Sequence, residues 1–205
     1  RFGTSRRSHS VSTRLIWRVV VLGSTRFVKL EALSEIHGNP WPPMAELNLL
    51  DESGATMSRA GWVVSADSFE VGEGPAGIID GNPETIWHTQ WRAAAPTHPH
   101  WVVVDMGTQR RLGGFRYLPY GSDGTGRIAL FNFYVSADGI NWGSPVASGD
   151  FRTMGPVEAE KTVLFAAAPS NRPPVVTAPA AQSSTLGQAA TSGCSRRPRL
   201  PRRGP

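Results

Sequence analysis

Short apolar segments, each bounded by glycine, proline or Asp/Asn turns, run through the middle of the chain and limit what it can fold into. In residues 27–33, for example, Val28, Leu30 and Ala32 alternate with polar or bulky neighbours, and a period of two is typical of a strand. The 22 Gly and 17 Pro favour many turns, and no convincing amphipathic helix interrupts the pattern. The sequence therefore predicts an all-β domain, an antiparallel β-sandwich or jelly roll.

The predicted strands share this length and these boundaries. They are residues 27–33, 45–50, 62–66, 101–107, 112–118, 128–136 and 162–165. Residues 101–107 are almost wholly apolar, which predicts a strand buried on both faces. Residues 38–43, with three prolines, are predicted as a loop.

The charges divide the chain into three parts. Residues 27–165 hold 9 Lys/Arg and all 16 Asp/Glu, whereas the two ends hold 12 Arg and no Lys. We predict a disordered Arg-rich segment at 1–25, a folded domain at 26–168, and a Pro/Ala/Ser linker with an Arg-rich tail at 169–205. The ends are either two basic tails or a shifted reading frame.

The acidic domain argues against nucleic-acid binding, and no apolar run is long enough to span a membrane.

Residues 80–91, DGNPETIWHTQW, are the strongest candidate for a site. Asp80, Asn82 and Thr85 place hard oxygen ligands around one turn, as Ca²⁺ requires. Two tryptophans and a histidine follow, and aromatic faces beside hydrogen-bonding groups suit a sugar. The alternative is an Asx turn followed by core tryptophans. We favour a site, because the oxygen-bearing turn, the two tryptophans and the histidine occur together in one short segment.

Several motifs, in this order, resemble the coagulation factor 5/8 type C, or discoidin, domain, and among its branches the bacterial family 32 carbohydrate-binding modules. They are IDGNPETIWHTQW at 79–91, HPHW at 98–101, FRYLP at 115–119, GRI at 126–128, and YVSADG with NWG at 134–143. The resemblance implies an eight-stranded β-sandwich jelly roll with a structural Ca²⁺. It also implies noncatalytic binding of galactose-type or related sugars.

The resemblance also implies residue roles. For the cation the matching positions are Glu46, Gly77 through its carbonyl, Asp80, Asn82 and Thr85. For the sugar they are Glu73, with Glu70 as an alternative, His88, Trp91 and Tyr120. Tyr120 and Thr125 stand where the family has Arg and Asn, which leaves galactose specificity open. The alternative for His88 is a structural histidine bonded to a carbonyl.

The order of the chain departs from the family pattern. Segments that resemble the closing strands of the domain, RFVKL and AELNL, lie at 26–30 and 45–49, before the main body at 57–165. Residues 26–52 are therefore either closing strands supplied from the N-terminal side, which we favour, or the remnant of a preceding copy. Chain termini in such folds lie close together, so the first arrangement is sterically simple.

Together these features predict a noncatalytic carbohydrate-binding module, monomeric, within a larger secreted bacterial carbohydrate-active protein. An enzyme is a weaker alternative, since a hydrolase needs two free carboxyl groups across a cleft. A second alternative is an adhesion module for protein or phospholipid surfaces, with Trp41 as a candidate apolar loop tip.

Overall fold

The computed structural model describes residues 23–121 and 126–165. The strands of this part are β1 Thr25–Ala32, β2 Pro43–Met44, β3 Glu46–Leu50, β4 Val63–Ala66, β5 Trp87–His88, β6 His100–Arg110, β7 Gly114–Leu118, β8 Leu130–Ser136, β9 Ala147–Asp150 and β10 Lys161–Leu164. Two short 3-10 helices cover Pro75–Ile79 and Phe151–Thr153. The predicted Arg-rich segment before residue 23, the tail after 165 and Thr125 lie outside the described residues.

Two antiparallel sheets form the sandwich. One has five strands in the order β4-β6-β1-β8-β9, the other has three in the order β10-β7-β3, and β2 pairs with β5 separately. The prediction of an all-β sandwich is confirmed. Among these described elements, no helix has the length and hydropathy of a membrane span.

Aromatic side chains from both sheets fill the core. The ring of Phe115, on β7, stacks on that of Phe133, on β8, with centroids 4.2 Å apart. Phe131 stacks on Phe151 at 4.0 Å. All four side chains are at most 2% exposed. Stacked and edge-on aromatic contacts contribute beyond simple area burial, so this cluster joins the two layers.

β1 occupies the middle of the five-stranded sheet. Leu30 lies opposite Val102 of β6 on one side and Phe133 of β8 on the other. The strand pairing predicted between residues 27–33 and 101–106 is thus present. β3 pairs with β7 in the second sheet, so residues 25–50 supply a strand to each layer. The N-terminal segment is an integral part of the described sandwich.

Some local predictions are wrong. β6 is buried on one face only, because Val102 and Val104 point into the core while Trp101 and Val103 face away from the second sheet and are half-exposed. β2 begins at Pro43, inside the predicted loop. Strands β2, β5 and β9 were not predicted, because two residues are too few to show alternation and β9, ASGD, carries no large apolar side chain.

A buried histidine fixes the start of β6. His100 is fully buried, with Nδ1 2.7 Å from Asp67 Oδ2 and Nε2 2.8 Å from the Pro40 carbonyl oxygen. Both ring nitrogens therefore face acceptors, which favours the protonated form. Burial lowers the pKa of His100, but Asp67 and the carbonyl oxygens outweigh burial and raise this pKa above its ordinary value of 6.5.

The raised pKa predicts a pH dependence of stability. A histidine with a raised folded-state pKa contributes stability that is complete below the unfolded-state pKa and is lost as pH rises through the folded-state pKa. We expect the free energy of unfolding to fall as pH rises above about 6.5. Denaturant titrations across this range measure it. In His100→Gln this slope should flatten, and an unchanged slope would show that His100 does not cause it.

The central position of β1 predicts that the domain depends on it. Leu30→Ala should lower the free energy of unfolding by about 2–5 kcal/mol, because it opens a cavity between both sheets. Leu33→Ala, which changes a side chain 37% exposed just beyond β1, is the matched control and should cost under about 1 kcal/mol. A chain beginning at Ser58 should not fold; a cooperative unfolding transition in it would contradict this dependence.

Candidate functional site

The turn at residues 80–85 is organised by its own side chains. Asp80 follows the first 3-10 helix and accepts hydrogen bonds from the Asn82 amide at 2.8 Å and from Thr85 Oγ1 at 2.7 Å. The Asn82 carbonyl oxygen accepts from the same Thr85 hydroxyl at 2.8 Å. Gly81 has a φ of 86°, a conformation that glycine adopts without strain. The turn therefore gathers carboxylate, carbonyl and hydroxyl oxygens within a few residues.

Gly77 brings the 3-10 helix against the strand that follows the turn. A Cβ at Gly77 would lie 3.0 Å from both the amide nitrogen and the carbonyl oxygen of Ile86. A larger side chain would thus push Ile86 and the start of β5 away from the helix. The glycine is required here for close backbone approach, which holds residue 77 beside the turn.

Glu46 supplies a carboxylate from a distant part of the chain. It begins β3, is 4% exposed, and Arg59 Nη2 lies 2.7 Å from its Oε2. Neither oxygen of Glu46 has a hydrogen bond of good geometry within the described residues, and its polar neighbours are the Arg59 guanidinium and the Gly81 amide. Burial raises the pKa of Glu46, Arg59 opposes that effect, and the nearby charge of Asp80 raises the pKa further.

These oxygens fit a hard cation. A buried carboxylate without a hydrogen bond of good geometry carries a desolvation cost, and a cation beside Asp80 would offset it. Within the described residues, no cluster of three His, Cys, Asp or Glu side chains is suited to a metal ion. The candidate site would therefore use the two carboxylates together with carbonyl and hydroxyl oxygens, a ligand set that suits Ca²⁺ better than Zn²⁺.

Glu70 and Glu73, the two candidates for the sugar-binding acid, have different roles in the structure. Glu70 is 5% exposed, and its carboxylate accepts hydrogen bonds from the amides of Val71, Trp91 and Arg92 at 3.0–3.2 Å. These amides, that of Arg92 first, lower its pKa. Glu70 therefore fastens residues 91 and 92 to the loop that contains it, and Glu73 remains as the candidate for a ligand.

Glu73, Trp91 and His88 form one array. Trp91 Nε1 donates to Glu73 Oε2 at 3.3 Å, and the rings of His88 and Trp91 are 5.9 Å apart at 46°. Trp91 is 40% exposed, and the Arg92 guanidinium carbon lies 4.7 Å from its ring centroid. An exposed indole held in place by a carboxylate and a cation is a fixed apolar surface at the edge of the domain.

His88 is a neutral hydrogen-bonding group. Its Nδ1 lies 2.9 Å from the Thr89 carbonyl oxygen, so this nitrogen carries the proton and Nε2 is left as an acceptor. Burial lowers the pKa of His88, against smaller opposite effects of Thr89 and Glu73. The bond to a carbonyl is the structural role considered above, and it leaves the second nitrogen able to accept from a hydroxyl.

Tyr120 and Glu73 line the same cavity. The cavity is about 400 Å³ and is lined by Glu73, Tyr120, Gly77, Asp80, Glu84 and Thr85, among others. Tyr120 and Glu84 also line an adjacent cavity of about 430 Å³. His88 and Trp91 do not line these two cavities but adjoin the first through Glu73. Glu73 and Tyr120 therefore share a cavity, and Trp91 is linked to it by the hydrogen bond to Glu73.

Three residues of the site were not predicted from the sequence. Arg59 contacts Glu46, Arg92 lies over Trp91, and Glu84 borders both cavities. Arg92 and Glu84 lie within or next to the DGNPETIWHTQW string, and their proximity to it was an available signal. Arg59 offered none, since it reaches Glu46 only through the packing of the chain between β3 and β4.

Two known proteins are similar to part of this chain. Galactose oxidase from Gibberella zeae is 43% identical over 101 residues, 48% of this chain and 15% of that protein. A sialidase from Micromonospora viridifaciens is 38% identical over 108 residues, 52% of this chain and 16% of that protein. The chain thus spans less than a fifth of either relative.

The model of the F5/8 type C domain matches residues 63–168, more than half of the chain. That range contains the cation-loop residues 77–85 and all four sugar-binding candidates, whereas Glu46 lies before it. The sequence motifs, the antiparallel β-sandwich and this match lead to one conclusion: the chain belongs to the F5/8 type C domain family, a carbohydrate-binding type of domain.

Proposed function

We propose that this domain is a noncatalytic carbohydrate-binding module that binds a terminal galactose-type or related sugar. The observation that carries the proposal is the array of Trp91, Glu73 and His88 beside the groove of Tyr120. It combines a fixed aromatic face with hydrogen-bonding groups, the two elements that sugar recognition needs. Both relatives carry names of carbohydrate-active enzymes, which supports the same class of ligand.

Each residue has a distinct part in binding. The exposed indole of Trp91 stacks on the apolar C–H face of the sugar. Neutral His88 accepts a hydrogen bond from one hydroxyl through Nε2, and Glu73 accepts from another while it holds Trp91. Tyr120 lines the same groove as Glu73 and offers an aromatic ring where the family has the charged, forked side chain of an arginine. The site therefore relies on stacking more than on charge.

The carboxylates of the site support binding rather than catalysis. Glu70 is engaged by three amides and Asp80 by Asn82 and Thr85, so neither is free as an acid or a nucleophile. Glycoside hydrolysis requires a pair of such groups on opposite sides of the scissile bond. The engagement of Glu70 and Asp80 supports a noncatalytic role.

The domain would act as one monomeric part of a larger secreted bacterial carbohydrate-active protein. Its share of each relative's length, 15% and 16%, is what a single accessory domain contributes. Attachment through such a domain raises the local concentration of a linked active site near its substrate. F5/8 type C domains are often extracellular, and the proposed ligand is found there.

For the sugar site, Trp91→Ala should weaken binding more than Glu73→Ala, because it removes the stacking surface as well as the group that Glu73 orients. We expect dissociation constants on the order of 0.1–1 mM for the unchanged domain, since a shallow site buries little area. NMR titrations with galactose, N-acetylgalactosamine and longer glycans measure both effects. Val63→Ala, a change at an exposed residue of β4, is the control. If no sugar shifts the His88 and Trp91 signals at millimolar concentration, the proposed site is not a sugar site.

We also propose that the oxygens of Glu46, Gly77, Asp80, Asn82 and Thr85 hold a structural Ca²⁺. The motivation is the buried carboxylate of Glu46, which lacks a hydrogen bond of good geometry and lies beside the oxygen-rich turn. When bound, the ion would cross-link β3 to the turn. Because Gly77, Asp80 and Thr85 also line the groove, the ion would fix one wall of the sugar site.

For the cation, Ca²⁺ at one hundred times its dissociation constant should stabilise the domain by about 2.7 kcal/mol and raise the thermal midpoint by several degrees. Asp80→Ala should abolish this response. Asp51→Ala is the matched control, because Asp51 organises a similar turn through Ser53 and Ala55 but lies away from Glu46. It should lower stability and leave the response to Ca²⁺ intact. Equal midpoints with Ca²⁺ and with chelator would rule the ion out.

A second candidate is adhesion to a phospholipid surface. Phe69 and Val71 are 51% and 84% exposed in the loop that also carries Glu70, and apolar loop tips of this kind suit insertion into a membrane interface. Trp41, the candidate suggested by the sequence, is half-buried. Liposome flotation separates the two functions. Under the adhesion hypothesis the unchanged domain should float with liposomes and the double variant, Phe69→Ser with Val71→Ser, should not. Under the sugar hypothesis neither should float, and the double variant should bind sugar as the unchanged domain does.

A further inference from the structure

The Arg59 guanidinium contacts both the buried carboxylate of Glu46 and the amide side chain of Asn48. Arg59 Nη2 lies 2.7 Å from Glu46 Oε2 and also donates a hydrogen bond to Asn48 Oδ1, two residues along the same strand. The Glu46 side chain is 5% exposed and that of Arg59 is 20% exposed. A guanidinium thus sits at the edge of the buried carboxylate, between β3 and solvent.

The same guanidinium reaches the cation loop. Its Nη1 lies 3.6 Å from the position that a Cβ on Gly81 would take, and Gly81 lies between Asp80 and Asn82. Arg59 is therefore close to two of the oxygen-bearing residues of the loop as well as to Glu46. Any cation held by these oxygens would lie within a few ångströms of a fixed positive charge.

The geometry of the pair is incomplete. Elsewhere in the sandwich, Arg26 holds Asp105 through two hydrogen bonds, from Nε at 2.7 Å and from Nη2 at 2.8 Å. Such a fork satisfies both carboxylate oxygens. The buried Glu46, in contrast, has no hydrogen bond of good geometry among the described residues, and the Arg59 nitrogen nearest to it, Nη2, also donates to Asn48 Oδ1. Arg59 balances the charge of Glu46 but leaves its oxygens able to accept another ligand.

We propose that Arg59 is an internal counter-ion, which neutralises Glu46 in the metal-free domain and lowers the affinity of the loop for its cation. The inference rests on the cation site proposed above. Like charges a few ångströms apart repel strongly where water is partly excluded, so Arg59 and a bound cation oppose each other. The domain consequently folds without the cation. Binding of the cation then increases the stability of the sandwich and of the groove wall, both of which are already formed.

The test compares Ca²⁺ binding by the unchanged chain and by Arg59→Gln with isothermal titration calorimetry. Arg59→Gln should bind Ca²⁺ about tenfold or more tightly, because the opposing charge is gone. Its thermal midpoint in chelator should fall, since Glu46 is left buried without a counter-ion. Arg111→Gln, which alters an exposed arginine paired with Glu52, is the control and should change neither quantity.

Arg59→Lys separates the effect of the charge from that of packing. It also provides the test if Arg59→Gln does not fold in chelator. It keeps the positive charge, so its affinity for Ca²⁺ should stay within about threefold of the unchanged chain. Tightening of the same size in Arg59→Lys and Arg59→Gln would overturn the role of the charge. So would unchanged or weaker binding by Arg59→Gln.

The outcomes also separate this inference from the cation site on which it rests. If the unchanged chain binds Ca²⁺ and Arg59→Gln binds it no more tightly, the role of Arg59 is wrong and the cation site stands. If neither binds Ca²⁺, both are wrong. Binding by Arg59→Gln alone would support the inference in its strongest form.

Discussion

The insertion of β1 between β6 and β8 is the constraint on which the rest of the structure depends. A strand in the middle of a sheet satisfies backbone groups on both sides, and its inward face adds Val28, Leu30 and Ala32 to the core. Without it, β6 and β8 would each present an unpaired edge. The chain that supplies this strand continues through β2 into β3 of the opposite sheet, so one short segment joins both layers.

That segment also brings the two halves of the candidate cation site together. Glu46 is carried by β3, whereas the oxygen-rich turn follows the 3-10 helix at 75–79. The burial of Glu46 results from the pairing of β3 with β7, and Arg59 offsets part of the cost of burying this charge. Stability and site formation are therefore coupled: the contacts that complete the sandwich are the ones that place a carboxylate beside the turn.

The candidate sugar site shows how a buried acid prepares a neighbouring surface. Glu70 uses its carboxylate to bind backbone amides, and this positions Trp91 so that its ring nitrogen meets Glu73. Because these groups are held before any ligand arrives, binding would cost little side-chain ordering. The groove between Glu73 and Tyr120 lies alongside the cation loop, so both proposed ligands share one end of the sandwich.

The sequence alone determined the fold class and most strand positions, and it singled out the loops that carry the candidate site. Alternation and turn residues are local signals, and so is the DGNPETIWHTQW string. Tertiary structure decided what depends on distant neighbours: that β6 is buried on one face only, that Glu70 is engaged while Glu73 lines the groove, and that Arg59 meets Glu46. Burial and pairing across dozens of residues follow from sheet register and layer packing, which no local pattern encodes.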